Sequence, residues 1–131
     1  MKFLVIDDDK DFRMFLQKLL SKFGTCHTAY DGDEGITAFR IALEDGDSYD
    51  YLFVDIMMPH MYGHQVLEGI RTIERHRGIM GSDGVKIIIT TAKEDADECF
   101  RVFREGCEWF LVKPIQPADI VKSLRELGAP V

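Results

Sequence analysis

Five short apolar segments punctuate this chain: Phe3–Ile6, Cys26–Tyr30, Tyr51–Val54, Val85–Ile89 and Trp109–Val112. Most are rich in Val, Ile, Leu and Phe, with no clean alternation of polar and apolar positions. Strands covered on both faces have this pattern. The second segment, within TCHTAY, is more polar and predicts an edge strand. Between the segments, apolar residues recur at helical spacing. Phe12, Phe15, Leu16, Leu19, Leu20 and Phe23 predict a first helix, with Gly24 as its stop. Ile36, Phe39 and Leu43 predict a second; Val66, Ile70 and Ile73 a third. Ala96, Cys99, Phe100 and Phe103 predict a fourth, closed by Gly106. Pro117 opens a fifth, which runs through Ile120, Val121, Leu124 and Leu127 to Gly128.

The order is strand then helix, repeated five times. Strands joined by helices run parallel, with right-handed crossovers. The predicted fold is therefore α/β, a five-stranded parallel sheet with helices on both faces. A closed eight-unit barrel needs about 250 residues, and the chain has 131. The segment RHRGIMGSDG (75–84) predicts a Gly-rich, flexible surface loop between the third helix and fourth strand.

Charge narrows the function. The net charge of −7 argues against bulk electrostatic binding to nucleic acid. It suits a metal cation or a basic protein surface. No apolar run approaches the roughly 20 residues that span a bilayer, and the N-terminus has no signal-peptide pattern. The expected location is cytoplasmic. Cys26, Cys99 and Cys107 form no CxxC pair, which predicts buried free thiols rather than disulfides or zinc. His27, His60, His64 and His76 lack metal-ligand spacing and are expected in loops or on the surface.

One charge looks misplaced. In YLFVDIMMP (51–59), Asp55 interrupts a stretch patterned for burial. A buried carboxylate without a partner costs several kcal/mol. In an open parallel sheet, ligands bind at the carboxyl ends of the strands. There the first strand leads into Asp7, Asp8 and Asp9, and the third into Asp55. The fourth leads into Thr90 and Thr91, and the fifth into Lys113 and Pro114. Converging carboxylates repel one another and invite a hard divalent cation, Mg²⁺ first or Mn²⁺. A carboxylate beside a metal, a lysine and a hydroxyl is what in-line phosphoryl transfer requires. Taken singly, each piece has a plainer explanation. DDDKD also fits a helix N-cap and first turn, and Asp9 and Asp11 are assigned that duty. The Thr pair is ordinary strand chemistry.

Four ordered segments carry a resemblance: FLVIDDD (3–9), YLFVDIMMPHMYG (51–63), IIITTAK (87–93) and GCEWFLVKPI (106–115). They resemble the receiver domain of two-component response regulators, over nearly the whole chain. The size resembles single-domain regulators of the chemotaxis type. The resemblance implies a flavodoxin-like fold, strand order 2-1-3-4-5, with five helices in one receiver domain over residues 1–131. That domain acts alone or belongs to a longer regulator. Asp55 is then the phospho-acceptor. Asp7, Asp8, Asp55 and the backbone carbonyl of Met57 ligate Mg²⁺. Thr91 is the switch hydroxyl, Lys113 binds the phosphoryl group, and the Lys113–Pro114 bond is cis. Phe110 matches the aromatic switch position, with simple core packing as the alternative.

The implied partners are a sensor histidine kinase or histidine phosphotransfer protein. A downstream protein reads the face formed by the fourth helix, fifth strand and fifth helix. A homodimer through that face is compatible; direct nucleic-acid binding and membrane insertion are not expected. Nor is enzyme activity, beyond self-phosphorylation and autodephosphorylation. Two departures stand out. Tyr62 replaces an acid before Gly63, where it affects capping more than chemistry. Trp109 is unusually large, a partner anchor or a residue buried against the fourth helix. Two rivals remain. A small Mg²⁺-dependent phosphatase of haloacid dehalogenase type would use Asp7-x-Asp9, but no Gly-Thr follows. A receiver-like module that is never phosphorylated would have no use for this full set.

Overall fold

Neighbouring residues of each central strand serve opposite layers. Leu4, Ile6, Leu52, Val54, Ile87 and Ile89 pack on one face with Phe39, Ala42, Val66, Leu67 and Ile70. Phe3, Val5, Phe53 and Ile88 pack on the other with Leu16, Leu20, Ile120 and Leu124. Side chains alternate sides along a strand. With an apolar layer on each side, polar alternation disappears from the sequence.

The computed structural model describes residues 1–58, 60–92 and 106–131. Its strands are β1 (Lys2–Ile6), β2 (Thr25–Ala29), β3 (Tyr51–Asp55), β4 (Lys86–Thr91) and β5 (Trp109–Val112). All pairings are parallel, in the order β2-β1-β3-β4-β5. The described helices are α1 (Lys10–Leu20), α2 (Gly32–Glu44), α3 (Gly63–His76) and α4 (Pro117–Glu126). Here α4 is the fifth helix of the sequence pattern. The predicted fourth, on Ala96, Cys99, Phe100 and Phe103, lies outside the described residues, as does Cys99. Helices α2 and α3 cover one face of the sheet; α1 and α4 cover the other. The polar strand β2 is an edge.

Three local expectations need correction. Helix α1 ends at Leu20, so Phe23 packs from the turn that follows. Gly24 is no left-handed stop. A Cβ there would collide with the Met1 carbonyl, which accepts from the Thr25 N–H at 3.0 Å as β2 begins. The segment 75–84 is only partly loop: α3 runs to His76, and a 3₁₀ turn spans Gly81–Asp83.

That connection is also braced from inside. The Arg71 guanidinium donates to Glu74 Oε1 at 2.7 Å, the Val85 carbonyl at 2.9 Å and Glu108 Oε1 at 2.9 Å. Glu74, buried, accepts the Val85 N–H at 2.7 Å. Glu108 accepts the Ile87 N–H at 2.5 Å. Burial pushes the Glu108 carboxyl above its ordinary range, against the pull of that N–H and of Arg71. The network fastens α3 to the start of β4 and the entry to β5.

Candidate functional site

The opposite edge of the sheet gathers the predicted polar residues. Asp7 follows β1, and its N–H extends the pairing to the Ala29 carbonyl at 3.1 Å. Asp55 is the last residue of β3, in register with Thr90. Ile56 continues the alignment by donating to the Thr90 carbonyl at 3.0 Å. Lys113 follows β5, its N–H on the Thr91 carbonyl at 2.6 Å. Backbone pairing thus sets the relative heights of Asp7, Asp55 and Lys113. The Lys113–Pro114 peptide is cis.

Helix starts close the site from both sides. Asp9 caps α1, its Oδ1 accepting from Asp11 N–H at 3.0 Å and Phe12 N–H at 3.3 Å. Asp11 lies in the first turn, where a negative charge suits the helix dipole. Asp9 therefore does the capping duty expected of it. On the other side, Gly63 donates to the Ile56 carbonyl at 2.7 Å. A Cβ on Gly63 would lie 2.7 Å from Ile56 Cα and 2.8 Å from the Asp55 carbonyl, so only glycine lets α3 start this close. Tyr62 is the N-cap of α3, and its N–H is taken by Gln65 Oε1 at 2.8 Å.

Asp7 and Asp55 are 1% and 7% exposed, while Asp8 is exposed. One ligand oxygen from each of Asp7, Asp8 and Asp55 lies within 4.8 Å of the others. The Lys113 ammonium sits 3.2 Å from Asp7 Oδ2 and 3.8 Å from Asp55 Oδ2. Asp7 Oδ1 accepts the Asp9 N–H at 2.9 Å, and Asp55 Oδ1 the Met57 N–H at 3.4 Å. Burial pushes the Asp55 carboxyl up to about 7, helped by the charge on Asp7 and opposed by Lys113. Burial also raises Asp7, against the Asp9 N–H and Lys113. Clustered acids whose ionisation is suppressed by burial and mutual repulsion gain from a cation. Three carboxylates offer oxygen alone, which suits a hard divalent ion.

Of the predicted site residues, Asp7, Asp8, Asp55 and Lys113 come together. Thr91 is fully buried at the end of β4, and its hydroxyl donates to the Ala92 carbonyl at 3.0 Å. The Met57 side chain is exposed. Phe110, on β5, is 41% exposed, so the core-packing alternative does not hold for it. Trp109 is half-buried against the α1–α4 layer. Two contacts escaped sequence reasoning. The Arg13 guanidinium donates to the Asp7 carbonyl at 2.8 Å. The Lys113 ammonium lies 4.4 Å from the centroid of the Phe12 ring. Both residues belong to the first turns of α1, whose start faces this edge; Phe12 was legible only as an apolar helix position.

Known proteins match this architecture. A family model described as response regulator receiver domain matches residues 3–125. The chain is 31% identical over 123 residues to the chemotaxis protein CheY of Pseudomonas aeruginosa, covering 94% of this chain and 91% of that one. It is 34% identical over 128 residues to hybrid signal transduction histidine kinase L of Dictyostelium discoideum, covering 97% of this chain. It spans only 7% of that kinase's length. A receiver domain protein from Clostridium thermocellum superposes with a TM-score of 0.79 at 28% identity, covering 96% of this chain and 92% of that one. The chain belongs to the response regulator receiver domain family of two-component signalling.

Proposed function

We propose that Asp55 accepts a phosphoryl group from a histidine kinase or a histidine phosphotransfer protein, as the one receiver domain over residues 1–131. The carrying observation is a nearly buried carboxylate with Asp7 and Asp8 at metal-sharing distance and the Lys113 ammonium 3.8 Å away. Asp7, Asp8, Asp55 and the Met57 carbonyl would hold Mg²⁺, with Mn²⁺ as substitute. When bound, the metal neutralises negative charge on the transferring phosphoryl oxygens. An ionised Asp55 oxygen attacks phosphorus; the new O–P bond forms as the donor's P–N bond breaks, and the freed imidazole takes a proton. Lys113 pairs with a phosphoryl oxygen. The Thr91 hydroxyl turns from the Ala92 carbonyl to the new phosphate, and Phe110 rotates inward. The surface of β5 and α4 thereby changes for a downstream protein, a small charge event biasing a two-state element. Beyond its own phosphorylation and dephosphorylation the domain is not an enzyme.

The phosphatase reading is disfavoured on two grounds. The family match points elsewhere. Asp9, the second acid of the Asp7-x-Asp9 pattern, is occupied as the cap of α1. The test is phosphoryl uptake from acetyl phosphate with Mg²⁺, read by intact mass and peptide mapping. Wild-type protein is expected to gain one phosphoryl group at Asp55, and Asp55→Asn none while remaining folded. Label on Asp7 would revive the phosphatase; no uptake and no Mg²⁺ binding would point to a module that is never phosphorylated.

A further inference from the structure

Lys113 has a third neighbour besides its two carboxylates. Its ammonium stands over the Phe12 ring, 4.4 Å from the centroid, with the side chain 26% exposed. An aromatic face attracts a cation within about 6 Å, more strongly when water is partly excluded. The ring is fixed independently of Lys113. The Phe12 N–H is bound to the Asp9 cap, and the ring packs against Phe15 at 6.0 Å between centroids and against the α1–α4 core layer.

The arrangement answers a conflict within the site. Lys113 contacts the Oδ2 atoms of Asp7 and Asp55, and both residues belong to the carboxylate set that fits a divalent cation. Those oxygens cannot serve two cations equally well, because the cations repel each other. A lysine released from its carboxylates has a long, flexible stem and strong hydration to draw it into solvent. Yet Lys113 must stay where a phosphoryl oxygen arrives. The Phe12 ring offers an attraction that does not compete for carboxylate oxygens.

We propose that Phe12 is a positioning residue: its ring retains the Lys113 ammonium at the phosphoryl-binding position while a divalent cation occupies the carboxylates. The inference rests on the phospho-acceptor reading above and adds a residue to it. A phenyl ring has no ligand atom for a metal and no donor for a phosphoryl oxygen, so Phe12 acts only through Lys113.

The experiment titrates beryllofluoride, a phosphoryl mimic, into Mg²⁺-saturated protein, followed by ¹⁹F NMR. Mg²⁺ affinity is measured separately by calorimetry. Phe12→Leu is expected to weaken beryllofluoride about three- to tenfold, the span of a partly desolvated cation–π contact. Mg²⁺ affinity stays unchanged, and Phe12→Trp restores binding. In a Lys113→Ala background, Phe12→Leu has no further effect. The Lys113 ε-methylene protons, shifted upfield by the ring, keep that shift when Mg²⁺ is added. Should Phe12→Leu fail to fold, Phe12→Met carries the same test.

Wild-type affinity in Phe12→Leu would overturn the proposal. So would an equal loss in the Lys113→Ala background, or collapse of the upfield shift on adding Mg²⁺. Wild-type protein that takes up no beryllofluoride would overturn the phospho-acceptor reading and this inference with it.

Discussion

At Asp55 chemistry and stability oppose each other, because the carboxylate placed for reaction is held where burial disfavours its charge. Burial pushes its carboxyl up to about 7, against about 4 for an exposed aspartate. Between those values the native state holds a proton that the unfolded chain has released. The contribution of this group to stability is therefore fully present below pH 4 and is lost as pH rises through 7. Asp7 shifts in the same direction and steepens the loss. Asparagine at position 55 has no charge to suppress. In chemical denaturation without metal, Asp55→Asn is expected to be more stable than wild type at pH 8, by about 2–4 kcal/mol. The difference should vanish near pH 4. A difference independent of pH would mean that the carboxylate is not strained by burial.

At the scale of elements, the sheet has a chemical edge and a structural one. Strand pairing and the starts of α1 and α3 arrange the acids and Lys113. At the far edge, Arg71, Glu74 and Glu108 tie α3 to β4 and β5. Removing Arg71 leaves the Glu74 charge buried and unpaired, which costs about 3–5 kcal/mol. Arg71→Ala is therefore expected to lower the urea midpoint sharply. Adding Glu74→Gln should recover part of the loss, because a neutral amide oxygen still accepts the Val85 N–H. A double variant no more stable than Arg71→Ala would show that the pair contributes little there. The sequence did not reveal this network: its members are scattered over 38 positions, from 71 to 108, and their charges read as surface residues.

Across the whole molecule, the carboxylate site stands apart from what holds the fold. Two apolar layers close the sheet on both faces without drawing on the carboxylates. A chelator should leave the far-ultraviolet circular dichroism unchanged. Mg²⁺ at a hundredfold excess over its dissociation constant should still raise the melting midpoint by about 5–15 °C, because it binds only the folded arrangement. Unfolding on chelation would contradict this separation. Among the described residues, no helix is long and apolar enough to cross a membrane.

The sequence by itself determined the strand–helix alternation, the parallel sheet and the strand ends on which Asp7, Asp8, Asp55, Thr91 and Lys113 fall. These follow from hydrophobic periodicity and chain order, which are local and legible. It could not determine that Gly24 is required by the Met1 carbonyl, because that approach joins residues 23 apart in sequence. Nor could it give Asp55 its shifted pKa, set by burial and by a charge 48 residues away at Asp7. The contact of Phe12 with Lys113 joins residues 101 apart, and only the tertiary structure brings ring and ammonium together. Through-space forces act on distance, and distance is set by the fold.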